Sequence, residues 1–223
     1  MSACPFDVCD GSGLVYDEAT NTAYDCRCRR QIIALRKARS LSAVIPRRYQ
    51  DVAFDRYPVT EIDRAVVAAT RRFAESIDDQ LNAGRGLWFM GTVGTGKTTL
   101  AMLVSKAALK AGRSVAIYSL PRLLNEIRDT HRAERSHVDL LDRLTEVDLL
   151  HVDDVGAERT TDWVLEELYS IVNARYEDQR SMVITTNLNR AELCDQIAER
   201  TVSRLVEMCD ALPLHGEDRR MSA

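Results

Sequence analysis

Four short apolar runs in the second part of the chain read as buried strands: Leu87 to Met90, Val115 to Ser119, Val147 to Val152 and Ser181 to Thr186. Between them the apolar positions change to helical spacing. Leu100 to Ala111 reads as a helix ended by Gly112, and helices fall within Pro121 to Glu146. Trp163, Leu165, Leu168, Tyr169, Ile171 and Val172 mark the core side of a further helix over Thr161 to Asp178. Strands alternating with helices predict an α/β fold, with a parallel sheet covered by helices on both faces. In such a fold, ligands gather at the carboxyl ends of the strands.

The loop after the first of these strands carries the chemistry. Gly91-Thr92-Val93-Gly94-Thr95-Gly96-Lys97-Thr98 fills every constrained position of the phosphate-binding P-loop pattern, and Thr99 follows it. Glycines let successive backbone N–H groups turn toward phosphate oxygens where side chains would obstruct the approach. Lys97 is placed to reach the β- and γ-phosphates, Thr98 to offer its hydroxyl to Mg²⁺, and the helix that begins there to point its positive end at the anion. The expected cofactors are ATP and Mg²⁺.

The third and fourth apolar runs end in further candidate residues. The strand ending at Val152 runs into Asp153 and Asp154; Asp153 is placed to hold Mg²⁺ through water, and Asp154 to orient or polarise the attacking water. Asn187 follows Ser181 to Thr186, and it emerges beside the carboxylates if its strand lies between the P-loop strand and the Asp-Asp strand. Its amide can then hold the water or the γ-phosphate.

Composition limits the rest. A length of 223 residues with 45% hydrophobic and 29% charged positions allows one full α/β core and a small appendage. Net charge is −4, so no global imbalance calls for nucleic acid or membrane as partner. No run is long enough to span a bilayer, and the first residues lack a secretory pattern, so a cytoplasmic location is expected. Of six cysteines, Cys4, Cys9, Cys26 and Cys28 crowd the start, flanking a polar, hairpin-like stretch with few large apolar side chains. Four thiolates there predict one tetrahedral Zn²⁺, although the Cys-x₄-Cys and Cys-x-Cys spacings are irregular. Cys194 and Cys209 sit within helical patterns and read as buried structural thiols. Eight basic and no acidic residues lie between Arg27 and Gln50. Ile32, Ile33, Leu35 and Ala38 allow a short basic helix broken by Pro46, and Arg47 to Phe54 reads as an extended linker.

Taken together, these motifs resemble the AAA+ ATPases of the DnaC/DnaI helicase-loader group, which includes the IstB-like transposition helpers. The resemblance rests on Ile45-Pro46-Arg47-Arg48-Tyr49 to Phe54, on Asp148 to Gly156, on Leu168 to Glu177 and on Val183 to Leu188. It implies a three-layer AAA+ P-loop NTPase fold over 55–223 without a carboxyl-terminal lid; ahead of it the cysteines mark a zinc-binding segment over 1–30 and the charge run a basic helix and linker over 31–54. It also implies that Asn187 is sensor 1 and that Arg204 is an arginine finger serving a neighbouring copy's ATP, with Arg200 the second candidate. Arg220 matches sensor 2, with Arg219 the alternative. Paired helices over Pro121 to Glu146, bearing Arg122, Arg128, His131, Arg132 and Arg135, correspond to the insertion that lines a single-strand channel in the group. The implied partners are a hexameric replicative helicase, single-stranded DNA and further copies of the chain. A transposase helper acting on duplex DNA and a small-molecule kinase are the competing functions.

Overall fold

The structure, a computed structural model, describes residues 4, 6–18, 20–29, 45–131, 134–156, 161–216 and 218. At the start, β1 (Leu14–Asp17) and β2 (Thr22–Asp25) form an antiparallel hairpin in which Leu14 faces Asp25 and Asp17 faces Thr22. Its interior is made of Cys4, Cys26 and Cys28, with Cys9 and Val15 packed against them. So little apolar surface cannot stabilise a fold by burial alone.

A 3-10 turn over Arg47–Tyr49 follows, then another over Val59–Glu61. Arg47 to Phe54, expected to be an extended linker, is folded onto the body. Ile45, Tyr49, Val52 and Phe54 pack on the core, and the Lys106 ammonium donates to the carbonyls of Gln50 and Val52 at 2.7 Å each. These spaced apolar residues gain more by burial than the segment gains from extension.

Asp63 caps the next element, accepting hydrogen bonds from the Ala65 and Val66 amides at 2.8 and 3.2 Å. The chain then runs through α1 (Arg64–Glu75), α2 (Ile77–Asn82), β3 (Gly86–Gly91), α3 (Lys97–Lys110), β4 (Val115–Ser119), α4 (Leu120–His131), α5 (Glu134–Glu146), β5 (Leu149–Asp153), α6 (Asp162–Glu177), β6 (Ser181–Thr186), α7 (Arg190–Ile197), α8 (Glu199–Met208) and β7 (Cys209–Leu214). The five-stranded sheet has the order β4-β5-β6-β3-β7, and every pair is parallel.

Strand periodicity divides the interior in two, because successive side chains point to opposite faces. Leu87, Phe89, Val115, Ile117, Leu149 and Val183 meet α1, α2 and α3 through Phe73, Leu81, Leu100 and Val104. Trp88, Ala116, Tyr118, Leu150, Val152, Met182 and Ile184 meet α4 to α8 through Leu124, Leu140, Leu168, Leu193 and Leu205. The sheet is thus buried on both sides, which is why its strands read as continuous apolar runs. Within α6, Val164, Leu168, Ile171 and Val172 are buried, whereas Trp163, Leu165 and Tyr169 are half-buried at the margin.

The sequence pattern did not disclose β7. Cys209, read as helical, instead opens this edge strand and is buried against the Met182 carbonyl. Pro213 in the strand costs nothing there, since only one side of β7 is paired, with β3. Among the described residues, no helix is long and apolar enough to cross a membrane.

Candidate functional site

The phosphate loop connects β3 to α3 as expected. Gly96 caps α3 in a left-handed conformation (φ 101°), and a Cβ there would strike the Ile62 side chain. Gly91 is equally constrained: at φ 147° it lies against the Leu214 carbonyl of β7. Thr95 braces the loop by donating to the Thr92 carbonyl at 2.9 Å. Lys97 is only 5% exposed, and its ammonium donates to the carbonyls of Gly91 (2.8 Å) and Thr92 (2.7 Å). Those carbonyls hold the cation beside the loop's inward face.

The strand order decides what stands beside the loop. With β6 between β5 and β3, the carboxyl ends of all three strands open on one edge of the sheet. Thr98 there donates its hydroxyl to Asp153 at 2.9 Å to Oδ1 and 3.2 Å to Oδ2. A hydroxyl and a carboxylate held together at a helix N-terminus are hard oxygen donors of the type Mg²⁺ takes. Asp154 occupies a left-handed conformation (φ 56°), which aspartate tolerates better than most residues, and together with Asn187 it lines the same cavity as Lys97 and Thr98.

Thr185 is a participant that the sequence reading missed. It is wholly buried, donates to Asp153 Oδ1 at 2.6 Å, and accepts the Asp154 amide at 3.0 Å. One hydroxyl thereby fixes the orientation of the first aspartate and the turn of the second. The signal was present as the polar end of an otherwise apolar strand, but its partners are 31 and 32 positions away. Thr186 adds a second tie by donating to the Val155 carbonyl at 2.6 Å.

The cavity has a volume of about 550 Å³, within the range of small-ligand sites. Val93, Gly94, Gly96, Lys97, Thr98 and Thr99 form one wall, and Arg48, Tyr49, Val52, Tyr57, Pro58 and Ile62 form the other. In the second wall, Arg48, Tyr49 and Val52 belong to the segment expected to be a linker. Beyond β7 the chain returns to the loop, with Thr92 donating to the Gly216 carbonyl at 3.2 Å and Asp218 crowding Gly94. Arg219 and Arg220 lie outside the described residues.

The two finger candidates sit on α8, facing α6, and neither lines this cavity. Arg204 stacks over Tyr176 at 4.5 Å and donates to Asn173 Oδ1 at 3.2 Å. Arg200 stacks over Tyr169 at 4.2 Å and pairs with Glu166 at 2.6 Å. On α4, Arg122 lies over Tyr118 and Arg128 donates to Asn125 Oδ1 at 3.1 Å. Arg132 and the side chains of His131 and Arg135 fall outside the described residues.

The thiols of Cys4, Cys9, Cys26 and Cys28 all lie within 4.8 Å of one another. Cys4 and Cys26 are separated by 3.8 Å, and Cys9 and Cys28 by 3.4 Å. Zinc–sulfur bonds of about 2.3 Å in a tetrahedron place sulfurs about 3.8 Å apart, so the set fits the metal. Backbone hydrogen bonding from Val8, with Phe6 and Cys9, draws the Cys4 thiol down to about 6, while burial pushes Cys28 up. Amide donors aimed at a sulfur favour its thiolate, the form that binds metal. Cys194, half-buried, and Cys209, buried, stand apart from this cluster.

The family model for IstB-like ATP binding proteins matches residues 30–223. The replicative helicase loader DnaC of Escherichia coli (strain K12) is 28% identical over 159 residues, covering 70% of this chain and 64% of its own. The crystal structure of the DnaC helicase loader superposes with a TM-score of 0.66 at 27% identity, covering 76% of this chain and 99% of that one. The replication initiator DnaA bound to AMPPCP and single-stranded DNA, at 20% identity and TM-score 0.65, covers 75% of this chain and 51% of its own and shares the fold. These are AAA+ folds, and the chain spans about 64% of the length of the curated loaders it matches.

Proposed function

Because the chain belongs to the IstB-like ATP binding protein family, we propose that it is an ATP-regulated loader that delivers a hexameric replicative helicase to single-stranded DNA. In this reading Lys97 leaves the Gly91 and Thr92 carbonyls to meet the β- and γ-phosphates, while the loop amides from Thr92 to Thr99 cradle them. Thr98 and Asp153 hold Mg²⁺, which supplies charge neutralisation at the transferred phosphoryl group. Asp154 and Asn187 face the attacking water, and Arg220 completes the nucleotide's surroundings as sensor 2. Arg204 reaches the ATP of an adjoining copy, so turnover depends on assembly. Stacked on Tyr176, the Arg204 side chain remains a third exposed and so accessible to a neighbour.

Cys4, Cys9, Cys26 and Cys28 hold Zn²⁺, and the zinc-binding segment over 1–30, with the basic helix and linker over 31–54, grips the helicase. The body over 55–223 forms the shared ATP sites, and the α4–α5 pair meets the DNA through phosphates. The observation that carries the proposal is the meeting of the P-loop, Asp154 and Asn187 at one cavity, with Asp153 hydrogen-bonded to Thr98 in its wall, in a chain whose fold matches 99% of the crystallised DnaC chain.

Size-exclusion chromatography of the full chain with its host's replicative helicase, in ATP and Mg²⁺, tests it. Co-elution is expected, and a Cys26→Ser/Cys28→Ser variant should lose it while its ATP site still binds nucleotide. A zinc-loaded wild-type chain that binds no helicase would overturn the loader reading. Tight binding to duplex DNA and a transposase instead would support the competing reading as a transposase helper.

A further inference from the structure

Arg48 belongs by sequence to the basic segment, yet the structure places it in the wall of the nucleotide cavity that Lys97 also lines. Among the described residues its guanidinium has neither a hydrogen bond nor an ion pair, and the other charged side chains lining the cavity are Lys97 and Asp154. An arginine without a partner among the described residues, beside a site for a polyanion, is placed to pair with the ligand.

The segment carrying Arg48 is fastened to the same helix that carries the phosphate loop. Lys97, Thr98 and Thr99 line the cavity at the start of α3, and Lys106 lies farther along it. The Lys106 ammonium donates to the carbonyls of Gln50 and Val52 at 2.7 Å and, at 3.5 Å, to that of Tyr49. An ammonium has three donors, and here all three are directed into the turn that follows Arg48. Both walls of the cavity are therefore referenced to one rigid helix.

We propose that Arg48 contacts the bound nucleotide and that Lys106 is the positioning residue that holds it there. This rests on the reading of the cavity as an ATP site. Binding of a fluorescent ribose-labelled ATP to the full chain, with steady-state turnover, tests it. Arg48→Ala should raise Kd and KM about tenfold, the equivalent of losing one charge-assisted hydrogen bond, and leave kcat at saturating ATP within about twofold. Arg48→Lys should recover part of the affinity. Lys106→Met should raise KM in the same way without changing kcat, and Lys106→Arg, which keeps donors at that position, should restore it. Melting of each variant without nucleotide separates loss of the contact from loss of the fold. If the wild type binds ATP and either Arg48→Ala or a folded Lys106→Met binds with unchanged affinity, the proposal is overturned. If the wild type itself binds no ATP, the failure lies in the reading of the cavity instead.

Discussion

Lys97→Ala is expected to abolish ATP turnover, lowering kcat/KM by about 10³-fold or more, while the protein melts within a few degrees of wild type. The side chain is 5% exposed and is held by two loop carbonyls. Neither carbonyl depends on it for the fold: both belong to the loop that opens on the cavity, where water can replace the ammonium. On the proposed reading, the variant loses the positive charge that follows the phosphoryl group into the transition state, within a partly desolvated site where such a charge has its largest effect. Phosphate release and labelled-ATP binding check the two halves of this expectation. A variant that hydrolysed ATP at the wild-type rate would remove the P-loop from the mechanism.

Arg175→Met is expected to have the largest effect on stability, a loss of about 3–5 kcal/mol in urea or thermal unfolding, out of a total of about 5–15 kcal/mol for a domain of this kind. Arg175 on α6 is fully buried. Its Nη1 donates to the carbonyls of Leu144 (2.8 Å) and Thr145 (3.1 Å), and its Nη2 to those of Val147 (2.9 Å) and Ser181 (2.6 Å). One guanidinium thus satisfies the carboxyl-terminal end of α5 and the entrances of β5 and β6. The negative end of the α5 dipole adds to the attraction. Burial draws its pKa down to about 9, which still leaves the cation charged at neutral pH. Without it several buried carbonyls lose their donors together. Arg175→Lys should not rescue, because a single ammonium cannot span carbonyls that a planar fork reaches from both sides. Wild-type stability of either variant would show that water satisfies those groups.

The same two residues mark what could be read in advance. Lys97 belongs to a contiguous motif in which spacing alone dictates geometry, so the loop, the Asp153-Asp154 turn and the position of Asn187 followed from short stretches of sequence. The position of β6 between β3 and β5, on which Asn187 depended, is what the sheet shows. Arg175 stood inside a stretch that resembled the loader group, but its partners come from the end of α5 and the entrances of β5 and β6, and no local pattern announces three other elements converging on one side chain. Thr185 escaped notice for the same reason. The strand Cys209–Leu214 was hidden because α8 ends directly in it, without glycine or proline at the junction, and because its middle is exposed as befits an edge. Tyr49 and Val52 looked like linker residues because the core they pack on is built by other parts of the chain, and the Lys106 ammonium that holds their carbonyls comes more than fifty positions later.

The central claim is that two copies of the chain share each ATP site, and mixing two inactive variants tests it most directly. Lys97→Ala and Arg204→Ala should each fail to turn over ATP alone. In an equimolar mixture, copies with an intact phosphate loop meet neighbours with an intact Arg204, and about a quarter of the sites should recover. Wild-type turnover by Arg204→Ala alone, or a mixture as silent as its components, would contradict the account.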